Sequence, residues 1–319
     1  MRIALTGATG FLGRYLVRQL ANQGHDLRCW YRATSNRGGF ESVPGAVEWL
    51  PGQLGDTSAT DQLVRGVNAV VHAAVQWEGP QHSRPRGYGD LTAFLQANLM
   101  GSLQLFQAAR AAQVERFIFI SSCAVHEVIR DDRPLDETHP VWPRRPYGAH
   151  KAALEQFVHS YGFGDGWPIC ALRPTGIYGL DHPVSKSRWF NLVGQVLRGE
   201  PIASASGGKE VHAADVGKAV GLLLEADPQT IAGQSFNCYD RYVSEQEVAS
   251  IARELSGSTS TIADLNLGPK HQIVTQKIRE LGMTFGGDTL LRQTVAGLVE
   301  AQRTTVGGRS AAQSEGVSA

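Results

Sequence analysis

The sequence predicts an α/β protein: a doubly wound parallel sheet of the Rossmann type, followed by a smaller C-terminal α/β substrate domain. Two observations support this. Apolar strand-like runs alternate with helix-like segments from residue 1 to about 174, and the first run leads directly into a glycine-rich turn. Strands that alternate with helices build parallel sheets, because a helix supplies the crossover between parallel neighbours. The predicted strands begin near residues 2, 26, 46, 68, 116 and 168.

The turn after the first strand has the spacing Gly-x-x-Gly-x-x-Gly and precedes an apolar-periodic helix. Gly7 permits the tight turn, Gly10 lets the backbone approach a pyrophosphate, and Gly13 lets the helix pack closely on the strand. The helix N-terminus then offers unpaired N–H groups to the phosphates. This context predicts a dinucleotide site whose turn residues are Gly7, Thr9, Gly10, Phe11, Leu12 and Gly13.

The end of the second predicted strand bears on the choice between NAD and NADP. An acidic residue there would bind the ribose 2′-hydroxyl of NAD, whereas an arginine suits a 2′-phosphate. This chain has Arg32 at that position, with Ser35, Asn36 and Arg37 just beyond. The pattern favours NADP over NAD, the alternative being that Arg32 is a solvated loop charge.

Two further segments carry candidate chemistry. The apolar strand 116–120 ends in a serine pair, and Ser122 would face the ligand crevice at the carboxyl end of the sheet. Tyr147 and Lys151 stand four residues apart in a helix that opens at Pro146, so they project from one face. An ammonium beside a phenol lowers the tyrosine pKa and makes it a usable acid and base.

These motifs, in this order, resemble the extended short-chain dehydrogenases/reductases, the group of NAD-dependent epimerases and dehydratases. The resemblance covers residues 1 to about 300 and rests on segments 6–13, 55–56, 70–74, 96–102, 121–122, 147–151, 172–179 and 211–216. It implies a catalytic group of Ser122, Tyr147 and Lys151, supported by Asn98. It also implies cofactor contacts from Asp56, Ala73, Ala74, Pro174 and Ile177, besides Tyr147 and Lys151. The resemblance also implies a homodimer, formed through the two long helices predicted at about 91–112 and 146–160.

The substrate is less clearly indicated. Many family members act on nucleotide-linked sugars, and several keep an arginine where this chain has Gly208, followed here by Lys209. That substitution removes a group that would bind a substrate phosphate, although Lys209 could partly replace it. The candidate substrate contacts are Trp77, Tyr88, His126, Thr175, Trp189 and Lys209. For His126 a loop or core role is the alternative, and for the aromatic residues simple packing.

Three functions follow from these observations. The first is an NADP-linked carbonyl reductase or alcohol dehydrogenase, which Arg32 and the missing arginine favour. The second is a nucleotide-sugar epimerase that retains its cofactor, which family frequency favours. The third is a non-catalytic cofactor sensor, which the intact Ser122, Tyr147 and Lys151 disfavour.

The predicted domain division assigns residues 1–174 and 204–232 to the dinucleotide-binding domain. Residues 175–203 and 233–303 form the substrate domain, and 304–319 a poorly ordered Gly/Ser/Ala-rich tail. Helices are predicted from about 91 to 112, from 146 to about 160, and after Ser244 as an N-cap.

The composition is typical of a globular protein, and the family resemblance implies a small-molecule substrate. The 30 basic and 30 acidic residues balance, which gives no indication of a nucleic-acid or anionic-membrane partner. The four cysteines are scattered, so they predict neither a disulfide framework nor a metal site. Their pattern, together with a first strand that begins at residue 2, leads us to expect a cytoplasmic protein.

Overall fold

The computed structural model describes residues 1–45, 47–77, 90–265 and 268–314, with side chains described as far as Thr304. The chain divides into two compact units. The first comprises Met1–Thr175, Ala214–Tyr239 and Gln272–Thr284, and the second comprises Gly176–Ala213, Asp240–His271 and Phe285–Ala319.

The strands, in chain order, are β1 (Arg2–Thr6), β2 (Asp26–Tyr31), β3 (Val47–Pro51), β4 (Ala69–His72), β5 (Arg116–Ile120), β6 (Ile169–Pro174), β7 (Gly176–Tyr178), β8 (Gly207–His212), β9 (Gln234–Cys238) and β10 (Arg241–Ser244). The helices are α1 (Phe11–Asn22), α2 (Thr57–Val64), α3 (Leu91–Leu95), α4 (Gly101–Ala111), α5 (Pro146–Asp165), α6 (Phe190–Leu197), α7 (Ala213–Glu225), α8 (Pro228–Ile231), α9 (Glu245–Ser256), α10 (Gln276–Glu280) and α11 (Gly287–Ser314).

The first unit is built on a seven-stranded sheet in the order β3-β2-β1-β4-β5-β6-β9, with every pairing parallel. The strand order reverses between β1 and β4, and ligands of open α/β sheets bind at that point, outside the carboxyl ends of the strands. The first six strands begin within one residue of their predicted starts. The predicted α/β class and parallel sheet are therefore confirmed.

Aromatic side chains fill the layer between the sheet and the helices in the first unit. The fully buried ring of Phe106 on α4 meets Phe117 and Phe119 of β5 edge-on, at centroid distances of 4.9 and 5.8 Å. Burying one such side chain contributes about 1.5 to 3 kcal/mol. Trp167 belongs to the same cluster, and its indole N–H donates to the Val114 carbonyl at 2.7 Å. The core therefore fixes β5, whose carboxyl end leads to Ser122.

The predicted helix from 91 to 112 is present but is not uniform. A π-helical turn, Gln96–Met100, separates α3 from α4. Single π-turns inside helices occur frequently at functional sites, and this one contains Asn98. Periodicity of apolar residues does not register the extra residue that a π-turn inserts, so the sequence predicted one continuous helix.

The second unit contains a three-stranded sheet in the order β10-β8-β7. Its core joins α6, α9 and α11 through side chains that include Val193, Val248 and Leu298, all fully buried. Ser244 caps α9 by accepting from the Glu247 N–H at 3.0 Å, as predicted.

The observed division differs from the predicted one in three places, one of which is the segment Gln272–Thr284, which belongs to the first unit. The strand β9 belongs to the first unit because it pairs in parallel with β6, which extends the large sheet. The strand β8 belongs to the second unit because it lies between β7 and β10. The helix α11 continues to Ser314, into the segment for which the sequence predicted little order, and residues 315–319 lie outside the described part.

All four cysteines are free thiols, and Cys29, Cys170 and Cys238 are buried. Within the described residues, no helix has both the length and the apolar character that crossing a bilayer requires.

Candidate active site

The glycine-rich turn after β1 is built by close backbone contacts. Gly7 has a φ of +77°, and a Cβ on it would lie 2.9 Å from the backbone of Ala73 and Ala74. A Cβ on Gly13 would overlap the Gly7 carbonyl oxygen. The N-cap of α1 is Gly10, which offers no side chain to the first N–H groups of the helix. The turn therefore fits the diphosphate of a dinucleotide, because those N–H groups and the positive end of the helix dipole suit an anion.

A buried chain of hydrogen bonds joins this turn to the π-turn. The Ala74 N–H donates to Thr6 Oγ1 at 3.2 Å, and Thr6 Oγ1 lies 2.7 Å from His72 Nδ1. On the other side His72 Nε2 lies 2.8 Å from Ser102 Oγ, which donates to the Asn98 carbonyl at 2.5 Å. Because Ser102 gives its proton to the Asn98 carbonyl, His72 must donate from Nε2 and accept from Thr6 at Nδ1. The imidazole is thereby held in one neutral tautomer.

Asn98, expected to support the site, fixes the segment that follows β4. Its Oδ1 accepts from the Gln76 N–H at 2.7 Å, and its Nδ2 donates to the Gln76 carbonyl at 2.8 Å and the Phe94 carbonyl at 2.9 Å. The Asn98 amide thus binds both the N–H and the carbonyl of Gln76, as a neighbouring strand would. These two bonds fix the backbone that precedes Trp77. Thr6, His72 and Ser102 were not singled out by the sequence as members of this network.

The loop after β2 is anchored by an arginine of α1. The buried Arg14 donates to the carbonyls of Asn36 and Gly38, at 2.7 Å each. Ser35 Oγ accepts from the Arg32 N–H at 2.9 Å and from Thr9 Oγ1 at 3.2 Å. The predicted cation Arg32 is exposed and begins this loop, directly after β2.

The first turn of α5 lies against the 3₁₀ turn that follows β5. A Cβ on Gly148 would overlap the carbonyl oxygen of Ala124, so glycine is required for this approach. Ser122 caps the 3₁₀ turn Cys123–Val125, and its Oγ accepts from the Ala124 N–H at 3.1 Å. Because that bond uses an oxygen lone pair, the hydroxyl proton of Ser122 can be donated to a ligand.

Tyr147 is half-buried among rings. Its phenol stacks on Trp77, with a centroid distance of 5.3 Å and an interplanar angle of 28°, and meets His150 edge-on at 5.3 Å. The predicted contact residue Trp77 therefore lies at the site. Burial lowers the pKa of His150 to about 3, with a further contribution from the charge of Lys151, so this imidazole is neutral at pH 7.

Lys151 is buried, with 2% of its surface exposed, and donates from Nζ to the Ile120 carbonyl at 2.7 Å. Its ammonium also lies 4.6 Å from the centre of the Phe119 ring. Burial lowers the pKa of Lys151 to about 7, while the charge of Glu155 opposes the change. Because Ile120 ends the strand that leads to Ser122, the structure brings all three predicted catalytic residues to the end of β5.

Other predicted cofactor contacts have clear positions within their units. Asp56 caps α2 by accepting from the Ala59 N–H at 3.0 Å. Pro174 ends β6. Thr175, a predicted substrate contact, follows it, and its N–H donates to the Cys238 carbonyl at 3.1 Å. The buried hydroxyl of Thr175 has no hydrogen-bond partner among the described residues. Ile177 lies in β7 of the second unit.

Two candidate substrate contacts have packing roles instead. His126 is 6% exposed, with Nδ1 3.2 Å from the Pro140 carbonyl and Nε2 3.1 Å from Arg173 Nη1, so both ring nitrogens are engaged inside the first unit. Trp189 is 7% exposed and belongs to the core of the second unit, 5.3 Å from Tyr178. Tyr88 lies outside the described residues.

An arginine from another segment of the chain lies beside Gly208, the position at which several family members keep an arginine. Arg188 Nη2 lies 3.6 Å from the place where a Cβ on Gly208 would be. Its Nη1 binds Glu210 at 2.7 Å, and burial raises the pKa of Glu210 to about 7 although Arg188 opposes this. Lys209 is half-buried on the same strand, β8. The residues at positions 208 and 209 could not reveal this arginine, because Arg188 belongs to a different segment of the chain.

A dinucleotide turn at the strand-order reversal, with serine, tyrosine and lysine at one strand end, defines a nicotinamide-dependent enzyme of the short-chain dehydrogenase class. The model of the NAD dependent epimerase/dehydratase family matches residues 3–238. The chain belongs to this family of NAD-dependent enzymes, as its sequence motifs predicted.

Three similar proteins illustrate the relationship. The UDP-glucose 4-epimerase of Azospirillum brasilense is 27% identical over 307 residues, which cover 88% of this chain and 85% of that protein. The low-salt glycan biosynthesis protein Agl12 of Haloferax volcanii is 29% identical over 189 residues, which cover 57% of this chain and 59% of that protein. The UDP-glucose 4-epimerase of Thermus thermophilus, in complex with NAD, superposes with a TM-score of 0.73 at 24% identity, covering 93% of this chain and 99% of that one.

Proposed function

We propose that this protein catalyses reversible hydride transfer at a carbon that carries a hydroxyl or carbonyl oxygen, with Tyr147 as the acid and base. The observation that carries the proposal is the pairing of Tyr147 with the buried Lys151 on the first turns of α5, packed against the turn of Ser122. The nicotinamide of a bound dinucleotide supplies or accepts the hydride. The protein must supply the proton.

Each of the three residues has a distinct part in moving that proton. Ser122 donates its hydroxyl proton to the substrate oxygen and fixes its position. Tyr147 gives its phenolic proton to the same oxygen during reduction and removes it during oxidation. Lys151, when protonated, stabilises the phenolate and so lowers the tyrosine pKa. The stack of Trp77 on Tyr147 keeps the ring from turning away.

For the cofactor we propose NADP in preference to NAD. No acidic residue occurs between Tyr31 and Gly38, and the loop presents Arg32 close to the glycine-rich turn. A charge-assisted hydrogen bond contributes about 1.5 to 3 kcal/mol. We therefore expect Arg32→Ala to weaken NADPH binding about tenfold or more and to leave NADH binding nearly unchanged.

Fluorescence titration with each cofactor measures this preference, with the exposed Arg65→Ala as the control for loss of a surface charge in the same unit. Wild-type protein that binds NADH more tightly than NADPH would contradict the preference for NADP.

Two reactions remain open, and a different observation favours each. Arg32 supports a reductase or dehydrogenase that exchanges NADP(H) with solution. Arg188, held by Glu210 beside Gly208, supports a nucleotide-sugar epimerase, because a guanidinium suits a diphosphate. A sensor without catalysis is disfavoured, since such a protein has no need of Ser122, Tyr147 and Lys151 together.

A substrate screen separates these reactions. Sugar nucleotides are compared with small ketones and alcohols, each in the presence of NADH and of NADPH, and the purified protein is inspected for the reduced-nicotinamide absorbance band. Cofactor that copurifies and does not exchange indicates epimerisation, whereas an empty site that accepts NADPH indicates net reduction. Bound cofactor without turnover on any compound would indicate the sensor.

We propose further that the protein is a homodimer of the cytoplasm. Large apolar side chains are exposed along the helical segments of the first unit: Leu91 on α3, Met100 on the π-turn and Phe157 on α5, each with 40 to 45% of its surface accessible. A second copy of the chain would cover them.

A further inference from the structure

Directly behind the catalytic lysine, α5 carries a second buried charge. Glu155 lies one helical turn after Lys151 and is completely buried. Arg173, on β6 and 2% exposed, donates from Nε to both carboxylate oxygens of Glu155 at 3.0 Å and from Nη2 to Oε2 at 2.6 Å. The pair is therefore a bidentate ion pair inside the sheet–helix core.

The ion pair also holds the strand end on which the catalytic residues depend. Ser121 donates its hydroxyl proton to Glu155 Oε1, and its N–H donates to the Leu172 carbonyl at 2.7 Å. Ser121 stands between Ile120, whose carbonyl accepts the hydrogen bond from Lys151, and Ser122. The Glu155 carboxylate is thus bonded to the middle residue of this short segment.

The electrostatic surroundings of Lys151 explain why a carboxylate is needed there. Among the described residues, the titratable groups facing Lys151 are His72 from β4, with Tyr147, His150 and Glu155 from α5. Burial keeps both imidazoles neutral, and Arg173 reaches this group from β6 through Glu155. Glu155 is the anionic neighbour that favours the charged form of Lys151.

Stability alone does not account for the pair. Taking two charges out of water is costly, and apolar residues of similar size often replace a buried ion pair without loss of stability. The arrangement here does something that apolar residues could not do, because it brings a negative charge within one turn of a buried ammonium.

We propose that Glu155, oriented by Arg173, is a positioning residue that favours the charged form of Lys151 and fixes the Ile120–Ser122 segment. The inference rests on the proposed roles of Lys151 and Ser122. It makes Lys151 dependent on a residue that touches neither substrate nor cofactor.

The test measures the titration of Lys151 directly in the full chain. Protein carrying ¹³Cε-labelled lysine is titrated by NMR, and the Lys151 resonance is assigned by its disappearance in Lys151→Met. The variant Glu155→Gln leaves Arg173 buried and unpaired and is therefore prone to unfold. The informative variant is the double substitution Glu155→Gln/Arg173→Met, which removes both charges.

The folded double variant should titrate Lys151 at a lower pH than the wild type, because the Glu155 carboxylate that favours the ammonium is gone, whereas Arg173 contacts Glu155 rather than Lys151. The control Asp165→Asn removes a carboxylate from the exposed end of the same helix, where it pairs with Arg110, and should leave the titration unchanged. A Lys151 titration that is the same in the double variant and the wild type would overturn the inference. This result needs no substrate, so it is independent of whether Tyr147→Phe loses turnover, which tests the proposed function.

Discussion

His72 links the glycine-rich turn to the π-turn through hydrogen bonds at both of its ring nitrogens. It accepts a hydrogen bond from Thr6 beside the glycine-rich turn and donates one toward the π-turn that holds Asn98. Burial lowers the pKa of His72 to about 3, with smaller effects from Lys151 and His150. Protonation would place a donor on both ring nitrogens and would break the bond that Thr6 donates.

The protein should therefore lose stability in acid in a defined window. His72 and His150 have folded-state pKa values of about 3, below the value of about 6.5 for an exposed histidine. The unfolded chain consequently binds more protons than the folded one between these limits, and the free energy of unfolding falls as the pH drops from about 6.5 toward about 3.

Urea unfolding across this range measures the effect. His72→Asn should flatten the pH dependence, whereas the exposed His182→Asn should not. If the His72→Asn variant kept the wild-type pH dependence of the unfolding free energy, His72 would not be the group that is protonated.

The residues that the sequence predicted and those that it missed differ in a physical way. Tyr147 and Lys151 form a local pattern, since a helix alone brings residues four apart together. Glu155 and Arg173 pair across 18 positions, and their contact exists only once α5 lies on β6. A charged residue inside the otherwise apolar run of β6 was the available signal, because a buried arginine needs a partner.

At the scale of the element, α5 depends on glycine at one position and tolerates a side chain at another. Gly148→Ala should push the first turn of α5 away from the turn of Ser122, because the new Cβ would overlap the Ala124 carbonyl oxygen. We expect kcat to fall at least about tenfold, since small misplacements of catalytic groups are costly.

Gly164→Ala, on the same helix, is the matched control. A Cβ at position 164 would meet no atom within 4 Å. This substitution should leave kcat unchanged and stabilise the protein by about 0.5 to 1 kcal/mol through helix propensity. Steady-state kinetics and thermal unfolding of both variants provide the comparison. Equal kcat values would mean that the approach of α5 to Ala124 does not position Tyr147.

At the scale of the molecule, local patterns predicted the elements better than they predicted the units. The starts of the first six strands followed from apolar runs, whereas β8 and β9 were assigned to the wrong side of the division. The assignment of these strands depends on which strand they pair with, β6 for β9 and β7 for β8. Pairing between strands distant in sequence leaves no periodic signal in the chain.

The proposed dimer is testable at this same scale. Phe157→Asp places a charge on one of the exposed apolar positions of α5 and should shift the protein from dimer to monomer in sedimentation velocity. Val274→Asp, at an exposed apolar residue outside these helices, should leave the dimer intact. A wild-type protein that sediments as a monomer would contradict the proposal.

The central claim is that Tyr147 transfers the substrate proton, and Tyr147→Phe tests it most directly. The ring is kept, so its stack on Trp77 and the binding of dinucleotide should persist, while the acid and base is removed. With whichever substrate the screen identifies, we predict that kcat falls by about a hundredfold to ten-thousandfold and that the dissociation constant of the cofactor changes little. A Tyr147→Phe protein that turns over at nearly the wild-type rate would contradict the account.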